Sequence, residues 1–455
     1  MKTYDLIIIG GGRASNLAVT AASLGKKVAL IEKTSLGGTC PNRGCVPSKL
    51  LIGYAHVARA VKESSRHFID ATIENIDVQK IFDKTNAYVG SIDSRYESRM
   101  DGVDVYRGVG SFVENKVIDV NGEKLTATNI VIATGTRPIE VPHEKAWSSD
   151  TIFPFEKEIP KSITVVGSGF IAVELANFFD AVGIKTTLIA RSNHLLSNED
   201  KEISEIFKEE FIKNVKVLFK TTVERISHEH NEFTLNLISN DEKTTHKSEA
   251  LLYATGRVSN ADLLGLQNTD IEVNERGFIK RDENFQTKVE GVYVVGDASG
   301  NHMLQHAAAF EVNHLGKMLY KEEKEPHQFK YMPHAVFTDP EVASVGKTQE
   351  QLEEQGITYV STTTDWLASA KAMSLRIKYP RTKLLIDPNS YEILGAHMIG
   401  PESATMMHQV LAIMHLDNDI RHLKEMLYIH PALSEALLPA AVNAVKKVEE
   451  YNAVK

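Results

Sequence analysis

Cys40 and Cys45 are the only thiols in the 455-residue chain, within Gly37-Gly38-Thr39-Cys40-Pro41-Asn42-Arg43-Gly44-Cys45-Val46-Pro47-Ser48-Lys49. Two thiols this close can form and break a disulfide, a two-electron reaction carried out at sulfur. A zinc site would need further Cys or His ligands at paired spacing, and none lies nearby. A structural staple is a poor alternative, because so short a loop removes little freedom from so long a chain. The residues favour a redox dithiol. Near the other end, His430-Pro431-Ala432-Leu433-Ser434-Glu435 offers the acid that a thiolate leaving group needs. Imidazole titrates near neutrality, and Glu435 is close enough in sequence to hold it in one tautomer. An ordinary turn is the alternative for His-Pro.

A two-electron sulfur chemistry needs a donor, and two segments are built to bind one. Leu6-Ile7-Ile8-Ile9-Gly10-Gly11-Gly12 and Ile163-Thr164-Val165-Val166-Gly167-Ser168-Gly169 each read as a buried strand entering a glycine turn. Each precedes a helical pattern, Leu17 to Leu24 or Ile171 to Val182, and then a second strand, Lys27 to Glu32 or Lys185 to Ala190. These are two βαβ units, and such units build a doubly wound parallel sheet. In the first, Gly10 and Gly12 let a pyrophosphate approach the helix N-terminus. Ser15 takes the third position, usually Gly or Ala, and Glu32 can accept ribose hydroxyls.

In the second unit Gly167, Gly169 and Ala172 complete the pattern, but Arg191 and Ser192 stand where an acid would close the strand. A guanidinium suits a 2′-phosphate, so NADPH is expected over NADH; a solvated surface arginine is the alternative. The strand Gly291 to Gly296 delivers Asp297 to the end where ligands of parallel sheets lie, toward a flavin's ribityl or phosphate region or, otherwise, as a helix N-cap. Ala133-Thr134-Gly135 and Ala254-Thr255-Gly256 recur, each closing a strand. Nicotinamide gives hydride and a disulfide takes two electrons at sulfur; a flavin is the usual intermediary.

The length allows roughly two to four domains. The net charge of -9 argues against nucleic acid as the main partner. No apolar run approaches the roughly 20 residues of a membrane span, and the N-terminus enters a strand with no signal-peptide pattern. A cytoplasmic location is expected, where a close dithiol is catalytic more often than structural.

Together these residues resemble the class I flavoprotein (pyridine nucleotide-) disulfide oxidoreductases, the family of dihydrolipoamide dehydrogenase, glutathione reductase, mycothione reductase and mercuric reductase. The resemblance runs nearly end to end, and its most specific part is Gly-Gly-Thr-Cys-x4-Cys-Val-Pro-Ser-Lys at residues 37–49. It implies an α/β fold with two Rossmann-like dinucleotide-binding domains, for FAD and NADPH, and a C-terminal α+β dimerisation domain. The expected division is 1–145 and 266–330 for the two parts of the FAD-binding domain, 146–265 for the NAD(P)H-binding domain and 331–455 for the interface domain.

By the same resemblance FAD would meet Gly10, Gly12, Ser15, Glu32, Gly38, Thr39, Lys49, Thr134, Gly135 and Asp297. NADPH would meet Gly167, Gly169, Phe170, Ala172, Arg191, Ser192 and Gly256. Cys45 becomes the flavin-proximal thiol and Cys40 the interchange thiol. Lys49 and Glu174 pair beside the flavin ring and nicotinamide, and Phe170 gates the nicotinamide pocket. His430 and Glu435 reach the active site of the other subunit of a homodimer.

Absences narrow the substrate. With no third cysteine, electrons must leave from Cys40 to an oxidant small enough to enter the cleft. Two arginines that glutathione reductases use for carboxylates fall on Thr20 and Asn313, which disfavours glutathione. The segment Leu304 to Glu311, with His306, and the His-Pro-Ala-Leu run are closer to dihydrolipoamide dehydrogenase and mycothione reductase. The expected activity is hydride transfer from NADPH through FAD to the Cys40–Cys45 disulfide, and on to a low-molecular-weight disulfide. The alternatives are a dihydrolipoamide dehydrogenase using NAD, a flavin-dependent metal-ion or quinone reductase, and a non-catalytic redox-responsive binding protein. His302, His306 and His314 do not align at helical spacing and have no completing carboxylate, so no metal site is expected.

Overall fold

The apolar runs before the two glycine turns become the central strands of two parallel sheets. In the computed structural model, which describes residues 1–321 and 329–454, β1 (Lys2–Ile9) passes through the first turn into α1 (Ser15–Ser23) and returns as β2 (Val28–Glu32). Leu6, Ile7, Ile8 and Leu30 are fully buried, as expected for strands covered on both faces. The dithiol segment folds as a short helix, α2 (Thr39–Arg43), and a long one, α3 (Cys45–Lys62), broken at Gly44. β3 (Val103–Arg107) and β4 (Glu123–Ile132) extend the sheet in the order β3-β2-β1-β4.

The second unit repeats the first. β5 (Ser162–Val166), α4 (Phe170–Ala181) and β6 (Lys185–Ile189) are flanked by β7 (Lys216–Leu218) and β8 (Ala250–Tyr253) in the order β7-β6-β5-β8. The chain then rejoins the first sheet. β9 (Val292–Val294) pairs in parallel with β4, which carries Asp297 back to the first glycine turn before α5 (Gln305–Tyr320) begins.

The glycine that opens each turn has a steric reason. Gly10 has φ +110° and Gly167 φ +140°, and a Cβ on either would lie 2.3 Å from Ala133 O or 2.4 Å from Ala254 O. Each turn is thus packed on the alanine carbonyl that ends the neighbouring strand, and only glycine fits.

The C-terminal part is an antiparallel sheet of β10 (His334–Val336), β11 (Val342–Gly346), β12 (Val360–Asp365), β13 (Arg381–Ile386) and β14 (Ile393–Ile399), ordered β10-β11-β14-β13-β12. Two long helices, α6 (Ser403–Leu416) and α7 (Leu437–Val454), pack on it through Val410, Leu437, Ala441 and Val448, all fully buried or nearly so. Two adjacent carboxylates of the second unit reach this sheet. Glu199 Oε1 is 2.7 Å from His334 Nε2 and Oε2 accepts from Ser344 Oγ at 2.6 Å, while Asp200 Oδ1 is 2.9 Å from Lys383 Nζ. Among the described residues, no helix is long and apolar enough to cross a membrane.

Candidate active site

α3 begins at Cys45, so the thiol sits at a helix N-terminus, where amide N–H groups favour an anion. Lys49 follows one turn later on the same face. α4 copies this layout, with Phe170 as its first residue and Glu174 one turn on. The two helices meet through these positions. Lys49 Nζ is 2.6 Å from Glu174 Oε2, and Phe337 N donates to Glu174 Oε1 at 3.0 Å. Lys49 Nζ also lies 4.8 Å from the centre of the Phe337 ring. A second pair, Arg59 to Asp180 at 2.6 Å, joins the same helices further along.

The two thiols are free and interact with one another, and their acidities are split. Cys45 is brought down to about 7, first by the hydrogen bond from Cys40 and then by the Lys49 charge, against the opposing effect of enclosure. Cys40 is pushed well above the usual thiol range, chiefly by donating that bond to Cys45, with burial adding to it. Cys45 is therefore the thiolate of the pair, and Cys40 keeps the proton.

A cavity of about 1190 Å³ opens on these groups. Of the residues singled out in the sequence, Gly10, Gly12, Glu32, Gly38, Thr39, Cys40, Cys45, Lys49, Thr134, Gly135, Gly169, Phe170, Glu174 and Asp297 line it. Glu32 is held in place by Gly11 N at 2.7 Å and Thr34 N at 2.7 Å, which leaves it further acceptor capacity. Burial raises Asp297, which accepts from Thr136 Oγ1 at 3.0 Å. The ring of Phe170 is 47% exposed, on the cavity wall.

His306 also lines the cavity, with Nε2 2.8 Å from Pro333 O, and the remaining residues lie off this wall. Ser15 and Ala172, the third positions of the two turns, are fully buried in helix–sheet packing. Gly167 and Gly256 shape backbone at φ +140° and +137°. Arg191 and Ser192 stand exposed just beyond β6. His430 Nδ1 bonds Glu435 Oε1 at 2.8 Å, and Glu435 Oε2 accepts from Ala432 N at 2.8 Å. That pair is formed as the spacing suggested, but His430 is exposed, Glu435 is half-buried, and neither lines the cavity of its own chain. Among the described residues no group of three His, Cys, Asp or Glu is placed to hold a metal ion. Arg13 and Arg43, which the motifs did not single out, also line the cavity; a charged residue inside a motif of small residues was the available signal.

Comparison with known proteins decides the family. The pyridine nucleotide-disulphide oxidoreductase model matches residues 4–311, and the dimerisation domain of the same proteins matches residues 332–441. The chain belongs to the pyridine nucleotide-disulphide oxidoreductases. A dihydrolipoyl dehydrogenase of Bacillus subtilis is 31% identical over 98% of this chain and 99% of its own. A mycothione reductase of Mycobacterium tuberculosis is 32% identical over 96% of this chain and 98% of its own. Among solved structures, the Cu(II) complex of the HOCl-induced flavoprotein disulfide reductase RclA from Escherichia coli superposes with a TM-score of 0.86 at 27% identity, covering 97% of this chain and 100% of that one.

Membership makes this an FAD- and NAD(P)H-dependent enzyme acting on sulfur groups. The two turns fit dinucleotides. A Cβ on Gly12 would meet nothing closer than 3.8 Å and one on Gly169 nothing within 4 Å, so the open side of each turn is free for a pyrophosphate. Thr134 Oγ1, on the cavity wall, is buried without a partner.

Proposed function

We propose that the protein is an NADPH-dependent reductase of a small disulfide, an oxidised low-molecular-weight thiol. It works in the cytoplasm as a homodimer whose active site both subunits complete. The observation that carries this reading is that Cys40 and Cys45 share the cavity wall with the Lys49–Glu174 pair, whose charged atoms are 2.6 Å apart. The residues that would hold FAD are Gly10, Gly12, Glu32, Gly38, Thr39, Lys49 and Asp297, and those for NADPH are Gly169, Phe170, Glu174 and Arg191. Bound FAD supplies the two-electron connection between nicotinamide and dithiol.

The dithiol does the rest. A thiol attacks as its thiolate, so Cys40 needs a base, and His430 of the partner subunit is that base. The Cys40 sulfur attacks one substrate sulfur, the substrate S–S bond breaks, and the leaving thiolate takes the proton held by the imidazole. The Cys45 thiolate then attacks Cys40 in the mixed disulfide. The second thiolate leaves and takes a proton from solvent through the same imidazole, and the Cys40–Cys45 disulfide is formed, two electrons having passed to substrate. Leu427 and Ile429 support the dimer: they are 96% and 82% exposed beside His430, and apolar side chains so placed suit a covering partner.

Arg191 supports NADPH, since it is exposed at the end of β6 and takes no carboxylate partner among the described residues. Steady-state rates over a panel of small disulfides, with NADPH and with NADH, test the whole reading. Turnover of a low-molecular-weight disulfide with NADPH, lost in Cys40→Ser, supports it. The Bacillus subtilis relative favours a second reading, a dihydrolipoamide dehydrogenase, which requires NAD and turnover of dihydrolipoamide. Activity that survives Cys40→Ser would favour direct reduction of metal ions or quinones. No NADPH consumption with any acceptor would favour a binding protein.

A further inference from the structure

The cavity wall carries seven lysines and arginines, and four are engaged: Lys49 with Glu174, Arg137 with Asp262, Arg257 with Asp150, and Lys330 with Tyr331. Among the described residues Arg13, Lys33 and Arg43 have no ion-pair or hydrogen-bond partner. Lys33 is exposed, but Arg13 and Arg43 are half-buried in a chain of net charge -9, where a carboxylate partner would be easy to find. Their positions coincide. Arg13 directly follows Gly12, whose open side faces the cavity. Arg43 closes α2 one turn after Thr39, on the same helix face, and Gly38 packs on Gly12 so closely that a Cβ there would lie 2.7 Å from Gly12 Cα. The two guanidiniums therefore flank the place where the glycine turn and the start of α2 meet.

We infer that Arg13 and Arg43 bind the pyrophosphate of the dinucleotide in the first site. The proposal rests on the reading of that site as the FAD site. A pyrophosphate carries two adjacent anionic groups, and two unpartnered guanidiniums match it in charge and in hydrogen-bond geometry. Backbone amides and a helix N-terminus alone would bind it with a weaker, less salt-sensitive attraction. Arg43 also lies between the two cysteines, so its bond to the cofactor ties α2, and with it Cys40, to the bound dinucleotide.

The test is FAD release from diluted holoenzyme, followed by flavin fluorescence over a series of salt concentrations. Arg13→Gln and Arg43→Gln are each expected to weaken FAD retention about tenfold or more, as loss of a charge-assisted bond does. Their retention should depend less steeply on salt than the wild type's, and Arg13→Lys and Arg43→Lys should recover part of the loss. Retention and salt dependence equal to wild type in the Gln variants would overturn the inference while leaving the FAD site intact. A wild-type holoenzyme that holds no FAD would overturn the reading of the site itself, and this inference with it. An Arg43→Gln variant that keeps FAD but raises KM for an anionic disulfide would assign Arg43 to substrate and overturn its part here.

Discussion

Lys49 Nζ and Glu174 Oε2 stand 2.6 Å apart, and each lies one turn into a helix whose first residue faces the same cavity. The pair joins the helix that carries Cys45 to the helix that begins at Phe170. Glu174 is almost fully buried and also holds Phe337 N, so the ammonium leaves behind an uncompensated carboxylate if removed.

Lys49→Met is therefore expected to slow anaerobic reduction by NADPH by about a hundredfold and to cost about 1–3 kcal/mol of stability. Stopped-flow absorbance and thermal denaturation check the two effects separately. A rate near wild type would reduce the pair to an interdomain tie.

The thiolate of the reduced enzyme should form as pH rises through about 7, the value to which Cys45 is brought down. The largest cause is the hydrogen bond from Cys40, so Cys40→Ala should move the Cys45 titration to higher pH. Cys40→Ser, which keeps a donor, should move it less. Alkylation rate against pH measures this directly.

How much of this was legible before the fold is clearest at three places. The glycine turns, Cys40 and Cys45 were readable because their chemistry demands fixed residue types at short spacing, whereas Lys49 and Glu174, 125 positions apart, were named only through the family resemblance. The close approach of Gly10 to Ala133 and of Gly167 to Ala254 was not readable, because it joins residues distant in sequence. The short helices Gln349–Glu354, Ala370–Ser374 and Arg421–Glu425 span too few residues to show a period. Glu199 and His334 were missed for the first reason, since nothing local marks a carboxylate that will meet a histidine 135 positions away.

That last pair gives a stability expectation. His334 is raised from its ordinary 6.5, with burial opposing and Glu199 supplying the attraction. Its contribution is full below 6.5 and fades as pH rises through the raised value. Glu199 is lowered from 4.5, burial opposing and the bond with His334 prevailing. Its contribution is full above 4.5 and fades as pH falls through the lowered value. The stability difference between wild type and His334→Gln should thus be greatest between pH 4.5 and 6.5, as urea denaturation over a pH series would show.

His430→Gln should lower disulfide turnover by about a hundredfold or more while leaving reduction of the enzyme by NADPH unchanged, because the imidazole serves only the thiol exchange. Glu435→Gln should give a smaller loss in the same half-reaction, since the carboxylate orients His430 from 2.8 Å. Separate stopped-flow measurement of the two half-reactions distinguishes these effects, and slowed NADPH oxidation in His430→Gln would contradict the division of labour.

The central claim is that electrons pass from NADPH to the Cys40–Cys45 pair and rest there as a thiolate at Cys45. Anaerobic titration of the purified enzyme with NADPH, and separately with NADH, tests it through the visible spectrum. The expected result is a new long-wavelength absorbance after one equivalent of NADPH, from a thiolate lying against oxidised flavin, and formed much faster than with NADH. Loss of the flavin absorbance without that band would contradict the dithiol relay, and faster formation with NADH would contradict the choice of NADPH.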